Sequence, residues 1–247
     1  MLQTKLKLSY LISLIAALIL GMSKSGLKGM GIVIVTLMAL VHGAKASTGI
    51  LLPLLIFADV LAVIYYNRHA QWGYLLKFLP WMLLGVLIGV YVGKDLPEDV
   101  FKKGMAGIIL FSVVIMFVWE RYDENNVPEK LWFAGSMGLS AGFTTMIGNL
   151  AGAFSNIFFL ATRIPKNEFI GTAAWLYFIV NLFKLPFHIF SWETVSLASL
   201  AVDIKLLPGV VIGFLIGIKI VEKVKEKHYR KFILIMTAIG AIVMLIK

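Results

Sequence analysis

Polar and apolar positions along this chain separate into blocks. Charge-free runs cover residues 8–23, 78–93, 104–119, 131–162, 169–183, 206–218 and 232–246. Once a charge at one end is allowed to snorkel, several reach about 20 residues, the helix length that crosses a ~30 Å hydrocarbon layer. The pattern predicts an all-α polytopic membrane protein. Hydrophilic breaks fall at 42–47, 67–73, 94–103, 120–130, 161–168 and 219–231.

The break at 120–130 divides the chain almost in half, and the halves look alike. Gly26, Gly49 and Asp59 correspond to Gly148, Gly171 and Asn181 at an offset of 122. Pro80, Gly85 and Gly89 correspond to Pro208, Gly213 and Gly217 at an offset of 128. We therefore expect two tandem homologous units, 1–119 and 131–247, joined by a loop at 120–130. Such duplication is characteristic of transporters whose site lies between the repeats.

Each half opens on a stretch of awkward length. Residues 131–162 would make a helix of ~48 Å, too long for one span and short for two with a turn. The counterpart, 8–44, is broken only by Lys24 and Lys28. Glycines cluster at both breaks: 26, 29 and 31, then 148 and 152. A broken or re-entrant helix pair is expected to open each half, because irregular backbone at membrane depth must face protein or a wet cavity. If each opening stretch makes a single crossing, there are eight spans and parallel repeats. If each crosses twice, there are ten spans and inverted repeats. Loop lysines and arginines put the 219–231 loop inside in both cases and do not choose.

Composition narrows the function classes. The 247 residues are 60% apolar and 15% charged, with no cysteine, which excludes disulfides and thiolate metal sites. The net charge of +10 comes mainly from short loops, so it reads as a topology signal and no nucleic-acid partner is expected. The four histidines are scattered without zinc-ligand spacing. No nucleophile stands with a base at compatible depth, so neither an enzyme nor a cofactor or metal site is expected.

The segment "SKSGLKGMG" (23–31) is the most informative stretch. It lacks the lysine after glycine and the preceding strand of a phosphate-binding loop. It reads either as a surface loop obeying charge rules, or as a broken helix that binds an anion. In the second reading, free backbone N–H groups, the Ser23 and Ser25 hydroxyls, and Lys24 or Lys28 supply the donors. Gly26 and Gly29 would permit close approach. Its counterpart "TTMIGNLAGAFSN" offers neutral donors at Thr144, Thr145, Asn149, Ser155 and Asn156. Two ionisable residues, Asp59 and Lys184, sit inside apolar runs, where charges face a cavity or a partner. They either pair with one another, or serve separately as a proton acceptor and a substrate cation. Asp203 and Lys205 lie nearer a helix end and are expected to snorkel. Glycines four apart at 85, 89 and 93, and at 213 and 217, suit close helix packing. Trp72, Trp132 and Trp192 read as interfacial anchors.

Together, "GMSKSGLKGMG" and "FIGTAAWLYFIVNLFKLPF", set in two similar halves, resemble the TauE/SafE family of membrane permeases over essentially the whole chain. The resemblance implies a secondary transporter in the plasma membrane that exports sulfite or a related small sulfur-containing anion. Carried over, it implies one binding face from Ser23, Lys24, Ser25, Gly26, Lys28 and Gly29. Asn149, Thr172, Asn181 and Lys184 would form the other face, and Asp59 would couple a proton if one is coupled. The expected partners are the anion and the lipid bilayer, and a homodimer is compatible with the chain. Departures from the common pattern, including Thr36 where many members have proline, bear on substrate more than on fold. The alternative is an uptake permease or channel for another small anion or organic solute.

Overall fold

The computed structural model describes residues 2–120, 131–225, 228, 229 and 235. Among them are nine α-helices and no strand: α1 (Leu2–Lys24), α2 (Gly31–His42), α3 (Ala44–Tyr66), α4 (Trp72–Gly93), α5 (Glu98–Glu120), α6 (Leu131–Gly148), α7 (Gly152–Ala161), α8 (Lys166–Phe190) and α9 (Leu197–Lys223). Among the described residues, five segments are long and apolar enough to cross a membrane: Lys7–Lys24, Ala44–His69, Trp72–Gly93, Lys166–Phe190 and Leu197–Lys223. The connecting loop expected at 120–130 lies outside the described residues apart from Glu120. So do parts of the 219–231 loop and nearly all of the last apolar run, 232–246.

Both opening stretches are broken where expected. α1 stops at Lys24 and α2 restarts at Gly31; α6 stops at Gly148 and α7 restarts at Gly152. The chain reverses through Gly26 and Gly29, at φ 122° and 99°, a region that side chains with a Cβ rarely adopt. At the second break Asn149 takes that role, at φ 57°. Asparagine is among the few residues with a side chain that visit the left-handed region readily.

Glycines bring the helices together. A Cβ at Gly213 would lie 2.0 Å from the Leu18 carbonyl oxygen, and one at Gly21 would lie 2.0 Å from that of Val210, so α1 and α9 touch backbone to backbone. α4 and α6 repeat the arrangement. A Cβ at Gly85 would meet the Leu139 carbonyl oxygen at 2.2 Å, and one at Gly142 would meet that of Met82 at 1.9 Å. In a membrane, where apolar surface gains nothing by leaving lipid, such close approach is a main source of helix association. Gly85 and Gly213 are 128 apart, as expected, but Leu18 and Leu139 are 121 apart, as are Gly21 and Gly142. Carried along to the breaks, an offset of 121 sets Lys24 against Thr145 and Lys28 against Asn149, one residue from the offset of 122 that sets Gly26 against Gly148.

Helix directions follow from the same contacts. Gly49, near the start of α3, abuts Thr194 after α8, while Gly171, near the start of α8, abuts Tyr66 and His69 at the end of α3. The two helices are antiparallel. α1 runs parallel to α9, since Leu14, Leu18 and Met22 meet Gly209, Gly213 and Gly217 in order. α1 and α2 thus enter and leave at the end where α3 begins. α6 runs parallel to α4 by the same test, so α6 and α7 enter and leave at the opposite end. The two opening pairs, α1–α2 and α6–α7, therefore enter from opposite ends.

Two expectations fail. Trp192 is buried and packs on Gly93, with its Nε1–H donating to the Val90 carbonyl at 3.2 Å, so it is a packing residue and no interfacial anchor. Trp72 and Trp132 are exposed, as anchors should be. Asp203 does not snorkel. It is buried, and neither carboxylate oxygen has a hydrogen-bond partner among the described residues, because its turn of α9 faces inward.

Candidate functional site

The two breaks reach into the interior from opposite ends and meet across α3 and α8. One chain of hydrogen bonds joins them. Lys24 Nζ donates to Asp59 Oδ1 at 2.6 Å, an ion pair between the first break and α3. Asn181 Nδ2 donates to Asp59 Oδ2 at 2.7 Å, and Lys184 Nζ donates to Asn181 Oδ1 at 3.3 Å. Lys184 then reaches the second break, donating to Asn149 Oδ1 at 2.6 Å and to Thr145 Oγ1 at 3.3 Å. The Asn181 amide can face only one way, because a carboxylate needs its N–H and an ammonium needs its oxygen.

Of the two readings open for Asp59 and Lys184, this chain rules out the one in which they pair with each other. Asp59 of α3 and Asn181 of α8, expected to correspond in the two halves, touch each other. Lys184 lies one turn beyond Asn181, so it points on to the second break and leaves Asp59 to Lys24.

Beside the chain is a cavity of ≈ 90 Å³. That exceeds the roughly 10–15 Å³ needed for one water and suits a small ion. Ser23, Lys24, Lys28, Gly29 and Gly31 line it from the first break, and Thr145, Asn149, Gly152 and Asn156 from the second. Tyr177 and Asn181 of α8 complete its polar wall, with Leu20, Leu51 and Leu55 on the apolar side. Both α2 and α7 begin at this cavity, and neither has a side-chain cap: Met30 and Ala151 hold the cap positions. Unpaired N–H groups and the positive ends of two helix dipoles therefore converge on one space.

Formal charges are unequal here. Three buried ammonium groups, on Lys24, Lys28 and Lys184, stand against the Asp59 carboxylate. Neither Lys28 nor Lys184 forms an ion pair among the described residues. The three N–H donors of Lys184 are committed to neutral oxygens, so its charge acts on the cavity through Asn149.

Some expected residues stand elsewhere. The Ser25 hydroxyl donates to the Met22 carbonyl at 2.8 Å, and its own carbonyl accepts from Tyr66 at 2.7 Å. The Gly26 carbonyl accepts from Tyr229 Oη at 2.6 Å. These bonds brace the break from behind and take both residues away from the cavity lining. Thr172 is occupied near the far end of α8, accepting from the Gln71 backbone N–H at 2.8 Å and donating to the Glu168 carbonyl at 2.6 Å. Tyr177 was missed by the sequence reading. It sits in "AAWLYFIV", where an aromatic residue has no distinguishing signal.

An all-helical, multi-pass membrane architecture with a central polar cavity defines a permease-like class of protein. The family model for the sulfite exporter TauE/SafE matches residues 13–244, and the chain belongs to that family. No curated protein and no solved structure matches the chain.

Proposed function

We propose that the chain exports sulfite or a related small sulfur-containing anion across the plasma membrane by alternating access. The observation behind this is the convergence of two uncapped helix N-termini and the Lys28 ammonium on one small cavity. Lys28 and the first N–H groups of α2 and α7 would hold the anion's oxygens. Ser23, Asn149 and Asn156 would orient it. Neutral donors on one side keep the site from binding too tightly to release.

The matching glycine contacts of α1 with α9 and of α6 with α4 support reading the halves as duplicated units of opposite direction. Rocking one against the other would open the cavity first to one face and then to the other. Outward movement of an anion from a cell negative inside is favoured by ~2.3 kcal/mol per charge per 100 mV. Coupling to a proton would run through Asp59. Protonating its carboxylate would release Lys24 to the anion; when the anion departs, Asp59 would give up that proton and take Lys24 back.

Flux in proteoliposomes at clamped pH and potential tests both parts. Export reading predicts sulfite efflux accelerated by an inside-negative potential and abolished by Lys28→Ala in folded protein. Efflux slowed by that potential would overturn it. Efflux indifferent to the pH gradient would remove Asp59 from coupling and leave a uniporter.

A further inference from the structure

Lys24 and Lys28 raise a problem that Asp59 does not solve. Two lysine amines line one wall of the cavity, both buried, and the carboxylate bonds only to Lys24. Like charges at close range in a medium of low dielectric repel strongly. The Tyr177 ring lies close to both, its centroid 4.7 Å from Lys24 Nζ and 5.3 Å from Lys28 Nζ. Both distances are within the ~6 Å over which an aromatic face attracts a cation.

The ring is held in place from its far end. Its hydroxyl is hydrogen-bonded to Ser155 Oγ on α7. Ser155 spends its own proton on the Ala151 carbonyl at 2.9 Å, so the Tyr177 hydroxyl is the donor. The second break thereby positions the platform on which the cations of the first break rest.

Resting on the anion site proposed above, we infer that Tyr177 is the positioning residue that makes this site prefer doubly charged over singly charged anions. A second carboxylate would also keep Lys28 in place, but it would cancel the charge offered to the substrate. The ring attracts both ammonium groups through its quadrupole and cancels neither. The site therefore keeps two cations side by side, which suits a compact dianion with oxygens on neighbouring corners. A monoanion can reach both with its oxygens, but its single charge balances only one of them.

The test compares Tyr177→Phe and Tyr177→Leu with the unaltered protein in detergent micelles. Sulfite, in mildly alkaline buffer where it is a dianion, and methanesulfonate, a monoanion, are the titrants. With lysine carrying 13C at Cε, the resonances of Lys24 and Lys28, assigned by single Lys→Arg variants, are followed in parallel. We expect ring-current upfield shifts at both lysines, kept in Tyr177→Phe and lost in Tyr177→Leu. We also expect Tyr177→Leu to weaken sulfite binding ~10-fold while changing methanesulfonate binding less than about threefold, with Tyr177→Phe close to the unaltered protein on both. A structural role alone would weaken both anions together, and that result overturns the inference. So does loss of the lysine shifts in Tyr177→Phe, or their persistence in Tyr177→Leu. If the unaltered protein binds neither anion, the anion site itself is refuted and the selectivity with it, whatever the resonances show.

Discussion

The two breaks do the same structural task with different chemistry. Each interrupts an apolar helix, reverses the chain and starts a short helix with its bare N-terminus at the cavity. The first turns on two glycines and presents Lys24 and Lys28. At the matching positions the second presents Thr145 and Asn149, with Asn149 itself making the turn. The charged break needs Asp59, Tyr177 and Asn181 to hold its cations. In the neutral break the order is reversed, and Thr145 and Asn149 become ligands for a cation, Lys184, that arrives from α8. A pair of positively charged breaks would face each other across ≈ 90 Å³. Dividing the charge this way leaves one attractive wall and one wall that orients.

Breaking the comparison at its most charged point has the largest expected effect. Lys24→Ala strands the fully buried Asp59 carboxylate and should cost about 3–5 kcal/mol of stability. The matching Thr145→Ala should cost about 1 kcal/mol or less. Thermal unfolding in micelles separates the two, and adding Asp59→Asn to Lys24→Ala should recover most of the loss. Equal effects at the two positions would refute the division of charge.

Making the first break resemble the second comes next. Lys28→Asn should weaken sulfite binding by about 30–100-fold, since a buried ion–ligand contact of this kind is worth roughly 2–3 kcal/mol. Asn149→Ala should weaken it by about 10-fold, through the lost 2.6 Å bond to Lys184. Equilibrium titration of both variants checks the order, and a larger effect at Asn149 would place the anion against the neutral wall. The smallest effect concerns the turn. Asn149→Gly keeps the left-handed backbone that Asn149→Ala must strain, so it should be more stable than the alanine variant by about 1 kcal/mol. Identical unfolding midpoints would argue against that conformation.

Much of this architecture was legible because membrane helices declare themselves by length and apolarity. Lysines beside three glycines within 8–44 marked the first break for the same reason, since hydrocarbon does not tolerate them casually. The glycines at 85, 89, 213 and 217 announced close packing, and each meets a neighbouring helix at a distance no side chain allows. Asp59 and Asn181 were expected to be counterparts in two halves, and the pattern gave no sign that they touch. Ser25, Gly26 and Thr172 looked equal to Ser23, Gly29 and Asn149 as donors. Which of them faces the cavity depends on helix rotation, and the background bonds from Tyr66, Tyr229 and Gln71 set that rotation.

Sequence alone determined that the chain spans a membrane as helices, where those helices break, and which buried charges need an explanation. Each is a local consequence of moving residues from water into hydrocarbon, and local composition suffices to read it. The tertiary structure decided the opposite directions of the two breaks, the pairing of Lys24 with Asp59, and the place of Tyr177 beneath two cations. Those depend on contacts between residues 35 to 195 positions apart in the chain, from Lys24–Asp59 to Leu18–Gly213. Nothing in a linear pattern weighs one distant partner against another until the glycine contacts have fixed how the helices lie.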